Sequence, residues 1–160
     1  MSNLAAGTIV LRAASAADEP LLVSFAERLT AFALPHWRRP EDIVTSDARE
    51  MIEAVRAGSP DDEVLIAERD GVPVGCLHIL AKTDFFGAPH AHISVLATTV
   101  AAEGTGVGRA LVAHAEAWAL ARGYARLTLN VFAANDRARR VYERAGFAPE
   151  LMAYSKWLAP

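Results

Sequence analysis

A chain of 160 residues, 52% hydrophobic and 22% charged, has the length of one domain and the apolar material for a full core, which excludes multi-domain arrays and intrinsic disorder. Sixteen basic against nineteen acidic side chains, a formal net charge of -3, leave no electrostatic footprint for nucleic acid. The lone cysteine, Cys76, excludes an internal disulfide and suits a reducing compartment.

Met1 to Gly7 carry no positive charge ahead of an apolar run, so a secretory leader is not expected. The longest stretch without Asp, Glu, Lys or Arg, Phe85 to Ala102, is broken by Gly87, Pro89, His90 and His92 and does not fit a membrane span. The expectation is a cytoplasmic protein with no membrane partner. Thr8 to Ala13 is expected to open as a strand. A helix should follow from Ser15 to about Ala33, with Leu22, Phe25, Ala26 and Leu29 on its buried face and Pro35 beyond its end. A second helix is expected over Glu41 to Ala57, stopped by Gly58 and Pro60.

Val64 to Arg69 and Val72 to Leu80 are apolar runs separated by Asp70-Gly71, a pair that tolerates the positive φ of a two-residue hairpin turn. With a strand over His92 to Thr98 they predict a three-stranded antiparallel meander. Next comes a crossover: a glycine cluster, a helix from Gly108 to Arg122 closed by Gly123, and a strand over Ala125 to Val131. A last helix over Asp136 to Ala145, ended by Gly146, precedes one or two closing strands, at Phe147 and over Leu151 to Leu158.

Glu103-Gly104-Thr105-Gly106-Val107-Gly108-Arg109 lies between strand and helix, where glycines let backbone amides turn toward a diphosphate and the helix terminus adds partial positive charge. A tight turn with no ligand explains three alternating glycines as well. A dinucleotide fingerprint requires an early strand and a glycine where Arg109 stands, and a nucleotide-hydrolase loop requires Gly-Lys-Ser or Gly-Lys-Thr where Gly108-Arg109-Ala110 stands. Both readings fail. A second motif follows: Asn135, Ala138, Tyr142 and Gly146-Phe147. Asn135 and Tyr142, seven residues apart, share a helix face with the small Ala138 between them, leaving room for a slender ligand arm. Alternatively Asn135 caps the helix and Tyr142 packs with its hydroxyl at the surface.

Together the two motifs resemble the GNAT family of N-acetyltransferases, in element order over nearly the whole chain and in motif detail over about Ile93 to Phe147. The resemblance implies one α/β (α+β) domain over residues 1–160, a mixed, mostly antiparallel twisted sheet of six to seven strands flanked by about four helices. It implies acetyl-CoA as acetyl donor between two splayed central strands. Its pantetheine arm would meet the backbone of Leu96, Ala97 and Thr98, and the loop from Glu103 through Gly104, Thr105, Gly106, Val107 and Gly108 to Arg109 would hold the pyrophosphate. Asn135 and Ala138 would contact the arm, and Tyr142 would reprotonate the leaving thiolate. A phenol near pKa 10 gives its proton to a thiolate near 8.5 at a cost of about 2 kcal/mol, whereas neutralising an amine of pKa about 10.4 costs roughly 4 to 5 kcal/mol at pH 7. A base or water chain is therefore expected.

Two departures stand out. Glu103 occupies the position where the family usually has Arg or Gln, so its carboxylate must face solvent or be offset by a cation, with Arg109, Arg139 and Arg140 as candidates, and Glu103→Arg should tighten binding. The strand before the loop, His92-Ile93-Ser94-Val95-Leu96, lacks the carboxylate that relatives often use as base. His92 stands in its place as candidate base, or is a hairpin histidine with no chemical duty; His78 and His90 are alternatives. Cys76 reads as a small core residue. Phe32, His36, Trp37, Arg38 and Arg39, with Asp84, Phe85 and Phe86, are candidate acceptor-pocket residues or ordinary packing. The expected function is acetyl transfer to a primary amine of a small molecule by direct attack, without a metal. A protein or peptide acceptor and a non-catalytic acyl-CoA sensor are the rival readings, and a homodimer through the final strands or an apolar face is compatible with either.

Overall fold

The computed structural model describes residues 7–158; the segment 1–6, on which most of the leader expectation rests, lies outside the described residues. Nine helices and strands of regular structure follow in chain order among them: β1 (Ile9–Ala13), α1 (Glu19–Glu27), α2 (Pro40–Ala57), β2 (Asp62–Arg69), β3 (Val72–Thr83), β4 (Pro89–Thr98), α3 (Val107–Ala121), β5 (Leu127–Leu129) and α4 (Asp136–Arg144). The strands form one sheet in the order β1-β2-β3-β4-β5, antiparallel through β4, with β5 parallel to β4. No helix among the described residues is long and apolar enough to cross a membrane.

Asp70-Gly71 makes the expected turn: φ is 53° and 76°, and Arg69 pairs with Val72. The alternation of β2 and β3 sends Leu65, Ala67, Leu77 and Ile79 toward α3, where Leu111, Ala115 and Trp118 cover them. Val64, Ile66 and Cys76 face Leu22, Phe25 and Met51 of α1 and α2. Cys76 is fully buried there and burial pushes its thiol up to about 12, so it is a core residue, as its flanks suggest.

Three expectations are corrected. Among the described residues the sheet has five strands rather than six to seven, because 151–158 forms none: Leu151, Tyr154 and Leu158 are exposed, and Trp157 instead stacks on Trp37 at 6.3 Å between ring centroids. The expected strand over Ala125 to Val131 shortens to Leu127–Leu129, because β4 turns away from it. The long first helix is broken into a 3-10 turn (Ala16–Asp18), α1, and another 3-10 turn (Arg28–Thr30). Pro20 lies in the first turn of α1, where its missing N–H costs nothing.

Candidate active site

The site begins with a defect in β4. His78 pairs with Val95 but Ile79 with Ile93, so Ser94 is an extra residue on β4. The bulge switches the faces of the strand: Ala91 and Ile93 pack toward α3, whereas Val95 and Ala97 pack toward α1 and α2. It also ends the parallel pairing, which covers only Ala91 to Ile93 against Leu127 to Leu129. Beyond that point the two chains diverge and a cleft of about 980 Å³ opens between them. Ser94, Leu96, Ala97 and Thr98 line one wall, and Asn130, Val131, Phe132 and Asn135 line the other.

Gly104, Gly106, Gly108 and Arg109 border the same cleft, at the N-terminus of α3. Gly104 and Gly106 have φ of 72° and 92°, a region that strains other residues, and a Cβ built at Gly104, Gly106 or Gly108 would meet nothing within 4 Å. The backbone therefore offers an open concavity beside the unpaired N–H groups of the first turn of α3. Two members of the loop turn inward instead. Val107 is fully buried, and the Thr105 hydroxyl donates to the Ala102 carbonyl at 2.6 Å.

Asn135 caps α4: its side-chain oxygen accepts from the Ala138 N–H at 3.1 Å. It, Ala138 and Tyr142 nevertheless all line the cleft, so capping the helix does not remove Asn135 from the cleft wall. Burial raises the pKa of the Tyr142 phenol, keeping it protonated.

Glu103 is offset by cations, but not by those expected. Arg28 donates to it at 2.7 Å while also donating to the Thr98 carbonyl, and Arg137 meets its other oxygen at 2.6 Å. These guanidinium groups hold the carboxyl below the ordinary glutamate range, the Arg137 hydrogen bond contributing most. Arg139 bonds instead to the Ala133 carbonyl and Asp136.

His92 is buried and is not among the residues lining the cleft. Its Nδ1 shares a hydrogen bond of 2.7 Å with the Thr128 hydroxyl, and burial, with Lys82 and His90 adding, pushes its pKa down to about 4. His78 is buried against Asp62 at 2.6 Å. The sequence reading missed Asp47. This half-buried residue of α2 lines the cleft, and burial with repulsion from Glu50 raises its carboxyl to about 6. Glu50 itself accepts from the Ser94 hydroxyl at 2.9 Å. Of the candidate acceptor residues only Phe32 lines the cleft, its ring 5.4 Å from that of Phe132 across the opening. His36 and Trp37 pack with Trp157, Asp84 pairs with Arg126, and Phe85 and Phe86 are exposed.

The glycine loop and the helix-borne phenol lie on one cleft where the sheet splays at a bulge, and residues 26–147, which include them, match the family model described as acetyltransferase (GNAT) family. The chain belongs to this family. A mycothiol acetyltransferase of Jonesia denitrificans is 48% identical over 64 residues, a match covering 38% of this chain and 20% of that relative, so only a fifth of the relative's length is matched. An aminoglycoside 6'-N-acetyltransferase from Acinetobacter haemolyticus superposes with a TM-score of 0.71 at 16% identity, covering 94% of this chain and 99% of the other. A transcriptional regulator from Bacillus halodurans gives 0.70 at 24% identity, over 94% and 100%. An aminoglycoside N-acetyltransferase in complex with CoA gives 0.69 at 16% identity, over 94% and 95%. At these identities the structures establish the shared fold.

Proposed function

We propose that the chain moves an acetyl group from acetyl-CoA to a primary amine of a small molecule by direct attack. The observation that carries this reading is that the glycine loop, the splayed backbone of β4, Asn135 and Tyr142 all border one cleft. The open concavity at Gly104, Gly106 and Gly108 fits a diphosphate, and the space between the two walls fits a narrow arm. Backbone groups of Leu96, Ala97 and Thr98 would hold that arm, with Asn135 and Ala138 opposite. When bound, acetyl-CoA supplies a thioester carbonyl open to attack and a thiol leaving group.

The residues divide the proton work. Tyr142 keeps its proton and gives it to the departing sulfur. Asp47 takes the first proton from the ammonium before attack, the second passes from the nitrogen to solvent as the amide forms, and solvent exchange then reprotonates Tyr142 and deprotonates Asp47. An aspartate of ordinary pKa is a weak base at neutral pH; the environment of Asp47 brings it closer to the working range. The carboxylates of Asp47 and Glu50 on one helix also favour an acceptor that arrives as a cation.

The test is CoA release from acetyl-CoA with a panel of primary amines, comparing the wild type with Tyr142→Phe, alongside calorimetric binding of acetyl-CoA. Turnover that collapses in Tyr142→Phe while affinity persists supports the reading. Binding without turnover on any amine points to an acyl-CoA sensor, and turnover only with peptides points to a protein acceptor. Absence of binding rejects the site.

A further inference from the structure

Arg69 is the largest fully buried side chain of the molecule among the described residues, only 1% exposed, and it plays no part in the chemistry described above. A guanidinium is expensive to bury unless its hydrogen bonds are made, so its partners indicate what it is for. It leaves the last position of β2, beside the hairpin turn, and reaches Thr105 at the centre of the glycine loop, 36 residues away. Nη1 donates to the Thr105 hydroxyl and Nη2 to the Thr105 carbonyl, each at 2.9 Å. The same hydroxyl donates onward to Ala102, so Thr105 is tied at both its side chain and its backbone.

The carbonyl contact sets the direction of the next amide. In a trans peptide the C=O and the following N–H point in opposite directions. Drawing the Thr105 carbonyl inward onto Arg69 therefore turns the Gly106 N–H outward, and Gly106 borders the cleft. The glycines flanking Thr105 have few conformational restraints of their own, so an unanchored loop would sample other peptide orientations.

We propose that Arg69 is a positioning residue for the anion-binding loop, aiming the Gly106 amide into the cleft. This rests on the reading of that loop as the diphosphate site. A purely structural arginine would instead stabilise the β1–β2–β3 region without selective effect on the loop.

Arg69→Met keeps the apolar stem and removes the anchor, and Arg69→Lys keeps the charge with a single donor group. Two quantities decide: amide hydrogen exchange in the ligand-free protein, and calorimetric affinity for acetyl-CoA. In Arg69→Met, exchange over residues 104–108 should quicken more than tenfold while β2 and β3 keep their protection, and affinity should fall about tenfold or more, partly restored in Arg69→Lys. Unchanged loop exchange with affinity within twofold of wild type overturns the proposal, as does protection lost evenly across β1 to β3. If Arg69→Met does not fold, Thr105→Val is read the same way with a threefold or greater expected loss, and unchanged affinity and exchange there overturn it. A wild type that binds no acetyl-CoA defeats the diphosphate reading, and loop exchange then still decides whether Arg69 positions the amide.

Discussion

The Arg28–Glu103–Arg137 cluster makes the sharpest prediction. Glu103 holds two guanidinium groups at 2.7 and 2.6 Å, so a diphosphate entering beside it meets cations whose charge is already half cancelled and a carboxylate of its own sign. Glu103→Gln preserves shape and removes the charge. Two unit charges about 6 Å apart repel by about 0.7 kcal/mol at the dielectric of water and about 3 kcal/mol at an effective constant of 20. The Glu103 side chain is 22% exposed and Arg137 62%, so the figure belongs near the lower end, about 1 kcal/mol, or roughly fivefold tighter acetyl-CoA binding. Glu103→Arg, attractive from sequence alone, is the poorer choice, since a third guanidinium would repel the two already there. Calorimetry at about 0.05 M and about 0.5 M salt is the assay; the gain should shrink with salt, because screening weakens exposed charges. The ion pairs keep Glu103 ionised through ordinary pH, so the gain should not depend on pH between about 6 and 8. Equal or weaker binding by Glu103→Gln at low salt refutes the reasoning and shows that the carboxylate serves the ligand by ordering Arg28 and Arg137.

Tyr142→Phe should lower kcat at least 100-fold, within the usual range for a lost proton donor of about 10² to 10⁴, while calorimetry finds acetyl-CoA affinity within about twofold. Asp47→Asn should lower kcat by a similar factor and abolish the acid limb near pH 6 that the wild-type rate profile should show, since protonation of the carboxylate removes the base. Asp47 also has a stability signature. Its folded pKa lies above the unfolded value, so its ionisation destabilises the fold above about 6, and lowering the pH from 6 toward 4 removes that penalty. Asp47→Asn should therefore raise Tm at pH 7, and an unchanged Tm contradicts the burial of its charge. At Gly75, an added Cβ would lie 2.9 Å from the Ala97 carbonyl oxygen and 3.0 Å from a Val107 methyl, so Gly75→Ala should cost about 1 to 3 kcal/mol in denaturant unfolding as β3, β4 and α3 are pushed apart.

What the sequence made legible was local. The Asp70-Gly71 turn, the stop of α2 at Gly58 and the glycine loop before α3 each follow from backbone conformations that a few neighbouring residues enforce, and each lies where the pattern placed it. The strand expected over Leu151 to Leu158 failed because hydrophobicity alone does not supply a hydrogen-bonding edge: β5 is three residues long and Trp157 is held by Trp37 instead. The electrostatics of the cleft were illegible for a related reason. Arg28 and Glu103 are 75 residues apart, Glu50 and Ser94 are 44, and no spacing rule links either pair. One hidden feature governs several of these misses. A single extra residue at Ser94 ends the β4–β5 pairing, which shortens the expected strand, opens the cleft and turns Ser94 toward Glu50 on the helix that also carries Asp47. The catalytic carboxylate sought on β4 in the sequence is therefore replaced, in our reading, by one on α2, because the bulge turns Ser94 toward Glu50 of that helix while His92, on the paired side of the bulge, stays closed against Thr128.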